Sequence, residues 1–217
     1  GRMWTREELT SVARIVQKYN LWIISDEIHC DLIRQGNKHI PMAKVMKGYP
    51  KLITCMAPSK TFNMAGLGFS NIIIRDEATR VLFKDRDKMF GMVNPMSLTA
   101  AKAAYDKGGA WLAELQAYLD GNFAFVKDFL MENLPDAVMN IPEATYLAWV
   151  DLSKCFPDVE DLPGFFANNA GVLLEGGNGL FVGNAAGYIR LNLAMPQSII
   201  KTGLERMKDA INQHNQK

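Results

Sequence analysis

The sequence predicts an α/β protein: a parallel or mixed sheet covered by helices, followed by a small α+β region. Three observations lead there. The runs Leu21–Asp26, Leu52–Met56 and Asn71–Ile74 are apolar without strict alternation, and helical segments separate them, as expected of strands buried on both faces. Beyond Pro135 the texture changes to runs with one polar-facing side, Tyr146–Asp151 and Tyr188–Leu193. The composition of the 217 residues, 48% hydrophobic and 22% charged, is that of a globular chain and excludes disorder, collagen and coiled coil.

Each element has its own signal. A helix starts almost at once, because Thr5 and Glu8 stand at capping-box spacing; Leu9, Val12, Val16 and Tyr19 mark its apolar face. Further helices are predicted from about Ala78 to Phe90, from Ser97 to Tyr105 and from Ala110 to Leu134. In the last of these Leu112, Leu115, Leu119, Val126 and Leu130 fall near helical spacing. Gly121 interrupts that helix at a cost of ~1 kcal/mol against Ala, and marks a bend or a domain junction. In the C-terminal region a helix is expected around Asp161 to Asn169, then the glycine-rich stretch Gly176–Gly179. A closing helix follows, with Ile200, Leu204, Met207 and Ile211 as its buried stripe.

Charge and cysteine content narrow the function. Lys plus Arg number 24 against 23 for Asp plus Glu, and a net charge of +1 argues against a nucleic-acid or anionic-membrane binder. No apolar run approaches the length of a spanning helix, so no membrane partner is expected. Cys30, Cys55 and Cys155 are odd in number and far apart with no CxxC. That argues against a disulfide framework or a structural metal site and points to a reducing cytoplasm.

Four residues could carry chemistry. Lys60 follows the second apolar run, in Ala57-Pro58-Ser59-Lys60-Thr61-Phe62-Asn63. A lysine at the mouth of a sheet can lose solvation and become a free amine that condenses with a carbonyl, or it is a surface lysine in a loop. Asp26 ends the first run, where ligands bind in open α/β sheets; buried there it needs a cationic partner, and otherwise it is a cap or turn aspartate. His29 either hydrogen-bonds in the same pocket or packs in the core. Arg190 lies mid-strand, and either snorkels to the surface or is held to grip a carboxylate in bidentate fashion.

The order Asp26, Lys60, Arg190 resembles that of fold-type I pyridoxal-phosphate enzymes, the class I/II aminotransferase superfamily. Ser25-Asp26-Glu27-Ile28-His29-Cys30-Asp31-Leu32 and Ala57–Leu67 are similar to the MalY/PatB branch of cystathionine β-lyases, as are His39-Ile40-Pro41, Thr145–Trp149 and Gly187–Asn192. Aminotransferases proper usually carry Tyr at the position of His29. Gly68 stands where aminotransferases commonly place a phosphate-binding arginine, which favours lyase over transaminase, and Ala144 replaces a glycine usual in its segment.

The resemblance implies a fold, a cofactor and roles. Residues 1–118 would be the C-terminal part of the large cofactor-binding domain, with a mostly parallel sheet, and 119–217 the small α+β domain. The cofactor would be pyridoxal 5'-phosphate. Lys60 would hold it and shuttle the α-proton, Asp26 would pair with its pyridinium nitrogen, and Ser59 would bind its phosphate. His29 would lie near its phenolic oxygen, and Arg190 would clamp the α-carboxylate of an amino-acid substrate. The implied activity is carbon–sulfur β-elimination, with transamination, or a folded module without catalysis, as alternatives. The resemblance further implies a homodimeric parent enzyme of which this chain is a C-terminal piece, Gly1 matching the end of an Asn-Pro-x-Asn-Pro-x-Gly segment. Without the phosphate loop and the ring-stacking aromatic, the piece alone is expected to be inactive.

Overall fold

The computed structural model describes residues 1–34, 36–87 and 92–216. They divide into two compact units, Arg2–Gln116 and Ala117–Lys217, the latter including Gly1.

The first unit opens with α1 (Arg6–Lys18), and the expected capping box is present in both directions. Glu8 N–H donates to Thr5 Oγ1 at 3.2 Å, and Thr5 N–H donates to Glu8 Oε2 at 2.8 Å, satisfying two orphan donors of the first turn. The Arg2 guanidinium, 2.9 Å from Glu8, and then the Thr5 amide hold that carboxyl down at about 2. The helix buries Ala13 and Val16 against Met42 and Met46 and against Leu52. Tyr19, expected on the same face, is exposed because it caps the helix beyond its last turn.

Met42 belongs to α2 (Met42–Val45), which lies between β1 (Ile23–Asp26) and β2 (Leu52–Met56). The short helix α3 (Pro58–Thr61) and a 3-10 turn then lead to β3 (Asn71–Ile74). The strand order is β1-β2-β3, with β1 parallel to β2 and β2 antiparallel to β3, so the sheet is mixed. The register places Leu52 and Thr54 on the buried side toward α1 and α2. Ile24, Asp26, Cys55 and Ile72 share the opposite side. The expectation of strands buried on both faces holds only in part: on that opposite side Ile74 is buried, but Ile24 is 69% exposed and Ile72 is also exposed. Three helices complete the unit: α4 (Glu77–Asp87), α5 (Pro95–Lys107), whose cap Asn94 accepts from Met96 N–H, and the start of α6 (Gly109–Asn133). Residues 88–90 of the expected Ala78–Phe90 helix lie outside the described residues. Helix α6 runs without interruption through Gly121.

The second unit packs a four-stranded antiparallel sheet against helices. Its strands β4 (Val138–Met139) and β5 (Leu147–Asp151) precede α7 (Leu162–Ala170); β6 (Glu175–Gly176), β7 (Tyr188–Asn192) and α8 (Gln197–His214) follow, in sheet order β4-β5-β7-β6. Its core holds the buried Phe123, Val126 and Leu130 of α6, Ala148 and Val150 of β5, Phe166 of α7, and the predicted stripe Ile200, Leu204, Met207 and Ile211 of α8. Asn122, fully buried, donates from Nδ2 to Leu193 O at 2.9 Å and to Met195 O at 3.1 Å, so α6 holds the chain just beyond β7.

Candidate active site

Strand β1 ends at Asp26, opposite Cys55 of β2, which is in turn opposite Ile72 of β3. These three form one row across the carboxyl end of the parallel pair, where open α/β sheets receive ligands. Asp26 is exposed, and its Oδ1 accepts from Ile28 N–H at 3.2 Å, turning the chain sharply after the strand. Of the two readings of Asp26, a buried paired carboxylate or a turn aspartate, this chain shows the turn aspartate. His29 sits half-buried in the same turn, which Cys30 N–H to Glu27 O and Leu32 N–H to His29 O close.

The other strand of the pair delivers Ser59 and Lys60. Ala57 is extended and buried after β2, and Pro58, with its preset φ, opens α3. Ser59 is half-buried and Lys60 is exposed, so within this chain the lysine takes the surface position that was one of its two readings. Among the described residues Lys60 forms no ion pair. Asp26, His29, Ser59 and Lys60 are thus brought to one end of the first unit's sheet by two parallel strands and the turns that follow them.

Two anchors that sequence reasoning missed fix these turns. Glu27, only 5% exposed, accepts from Ser25 Oγ at 2.9 Å and from Met42 N–H at 3.0 Å, and pairs with His39 Nε2 at 2.8 Å. Burial pushes its carboxyl up, but the His39 ring, the Met42 amide and the Ser25 hydroxyl together bring it below the ordinary glutamate value. The second anchor is Asp31. Its Oδ2 accepts from the buried Thr61 hydroxyl at 3.2 Å, and its carbonyl accepts from Gln116 Nε2 at 2.7 Å. It ties the turn after Asp26 to the helix bearing Lys60. The only sequence signal was charge placed directly after an apolar strand. Phe62 steadies the end of α3 by stacking on Trp111 at 5.8 Å and meeting Tyr105 edge-on at 6.2 Å. The Cys30 thiol, pushed up to about 12 by burial and then by Asp31, stays protonated and is no nucleophile at neutral pH.

Arg190 belongs to the second unit. It lies mid-strand in β7, with Trp149 of β5 as its register partner on one side and Glu175 of β6 on the other. Its guanidinium pairs with the Glu175 carboxylate and lies 5.2 Å from the centre of the Phe181 ring. It neither snorkels free nor lies fully buried, its side chain being 30% exposed.

Among the described residues no group of His, Cys, Asp and Glu could hold a metal ion, and no helix is long and apolar enough to cross a membrane. The donor set at the sheet end is an unpaired amine, a carboxylate, a hydroxyl and an imidazole. It suits a small aromatic aldehyde carrying a ring nitrogen and an anionic tail.

Comparison with known proteins agrees with this chemistry. The cystathionine β-lyase PatB of Bacillus subtilis is 37% identical over 214 residues, which cover 97% of this chain and 55% of that protein. The pyridoxal-phosphate-bound C–S lyase of Staphylococcus hominis superposes with a TM-score of 0.89 at 49% identity, covering 97% of this chain and 54% of that one. Cystalysin of Treponema denticola, whose structure contains pyridoxal 5'-phosphate, gives a TM-score of 0.92 at 37% identity, covering 98% of this chain and 55% of that one. The chain therefore spans about half the length of the relatives it matches, and its fold is that of the fold-type I enzymes. Residues 1–207 match the family described as aminotransferase class I and II, and the chain belongs to that family.

Proposed function

We propose that the whole protein is a pyridoxal-phosphate-dependent carbon–sulfur β-lyase, splitting cysteine conjugates such as cystathionine into thiol, pyruvate and ammonia. The observation that carries this reading is the convergence of Asp26, Ser59 and Lys60 on one sheet end, with the amine and the carboxylate both open to a ligand. The likeness to PatB and to the Staphylococcus hominis enzyme supports it.

When bound, pyridoxal phosphate supplies an aldehyde that joins the substrate amine and an electron-poor ring that accepts the electron pair left at Cα. This chain's residues do the rest. Lys60 Nζ would hold the cofactor and, as a free amine, take the proton from the substrate Cα. The Asp26 carboxylate keeps a proton on the ring nitrogen, His29 hydrogen-bonds the phenolic oxygen, and the Ser59 hydroxyl donates to the phosphate. Arg190 grips the α-carboxylate, orienting the Cα–H bond toward the base. Loss of the sulfur from Cβ once that proton is taken would give the thiol; transamination is the alternative outcome at the same residues.

The same reading divides the chain at 118/119 into part of a large cofactor-binding domain and a small domain. It also makes the whole protein a cytoplasmic homodimer and leaves the 217-residue chain alone inactive. Incubation of the whole protein with cystathionine and a keto acid tests the activity. Pyruvate and free thiol are expected; a new amino acid with no thiol would make it an aminotransferase instead.

A further inference from the structure

Arg190 already has a carboxylate. Glu175 is its direct cross-strand partner, and the two side chains form an ion pair. Phe181 lies against the guanidinium, and Trp149 walls the site by meeting Phe181 edge-on at 4.7 Å and stacking on Tyr188 at 5.4 Å. Glu175 nevertheless satisfies the group incompletely. It engages Nη2, while Arg190 Nε is buried and has no hydrogen-bond partner. A planar carboxylate laid side-on bridges two guanidinium nitrogens at once. Glu175 makes only the Nη2 contact. The next residue, Gly176, brings β6 so close to β7 that even a Cβ there would lie 2.4 Å from Tyr188 O, which fixes the backbone behind the glutamate. Its side chain also borders an open cavity of about 740 Å³ with Gly177 and Asn178, so a displaced carboxylate has room to swing into water.

We propose that Glu175 is a positioning residue that occupies the carboxylate site of Arg190 when no substrate is bound, and so sets how tightly that site takes an α-carboxylate. The inference rests on the proposed role of Arg190 as the carboxylate clamp. Glu175 keeps the guanidinium aligned over Phe181, and a ligand carboxylate that spans Nε and Nη2 displaces it.

The test uses the 217-residue chain with acetate as probe at constant ionic strength. The readout is the Nε–H NMR signal of Arg190, assigned by its loss in Arg190→Lys. Glu175→Gln and Glu175→Ala are each expected to bind acetate roughly threefold more tightly than the unsubstituted chain, the scale of a partly exposed ion pair. A purely structural glutamate would give no gain in affinity. Either folded variant suffices should the other fail to fold. If acetate moves the Arg190 signal in the unsubstituted chain but the variants bind no more tightly, the role of Glu175 is overturned and the clamp stands. If acetate moves that signal in none of the three proteins, the clamp itself fails, and this inference with it.

Discussion

Protonating Glu27 would weaken its hydrogen bonds with the His39 ring, the Ser25 hydroxyl and the Met42 amide that pin the turn beyond Asp26. Its carboxyl titrates lower in the folded chain than in the unfolded one, so the unfolded state binds the proton more readily. The stability it contributes is therefore present above the ordinary glutamate value of 4.5 and is lost as pH falls below it. Thermal melts of Glu27→Gln against the unsubstituted chain should show a lower midpoint at neutral pH and a gap that closes toward pH 3. A gap independent of pH would mean that shape and not charge is what Glu27 supplies. The proposed role of Lys60 is chemical, and its exposure predicts little effect on folding. Lys60→Ala is expected to leave the unfolding free energy within about 0.5 kcal/mol, as for an exposed side chain, while lowering turnover of the whole protein by at least about 10²–10⁴-fold. A comparable loss of stability would instead make the lysine structural.

Among the elements, the ones nearest Arg190 depend most on close approach. Gly187 has φ +79°, and a Cβ there would sit 2.7 Å from the Ser153 Cβ. Gly187→Ala should cost about 1–3 kcal/mol and speed amide exchange along β7, measured by hydrogen exchange. Asn122→Ala would strand the carbonyls of Leu193 and Met195 and cost about 1–3 kcal/mol in chemical denaturation. How legible an element was depended on whether its cause lay nearby in sequence. The capping box of α1, the stripe of α8 and the strands β2 and β3 were readable because their determinants lie within a few residues. Glu27 and Asp31 were not, because their partners arrive from His39, Met42, Thr61 and Gln116. The edge strand β6 escaped notice because two residues carry no periodicity, and a glycine's close approach holds it in place. Asp26 was placed correctly at a strand end, but the choice between a buried and a turn aspartate stayed open because a continuous apolar run does not tell whether both faces are covered.

For the molecule as a whole, each unit has a core of its own, and the larger one surrounds Phe123 and Phe166. Phe166→Ala should destabilise the second unit by about 3–5 kcal/mol in calorimetry, with Leu162 and Phe156 left beside a void. Ile24 and Asp26 lie exposed on one side of the first unit's sheet. The proposed chemistry sits there, so the most direct test asks where the cofactor attaches. The whole protein would be loaded with pyridoxal phosphate, reduced with borohydride, digested, and its peptides weighed by mass spectrometry. The pyridoxyl mass should appear on the peptide bearing Lys60 and vanish in Lys60→Ala. Its appearance on another lysine, or on none, would contradict the assignment of Lys60 and the lyase built upon it.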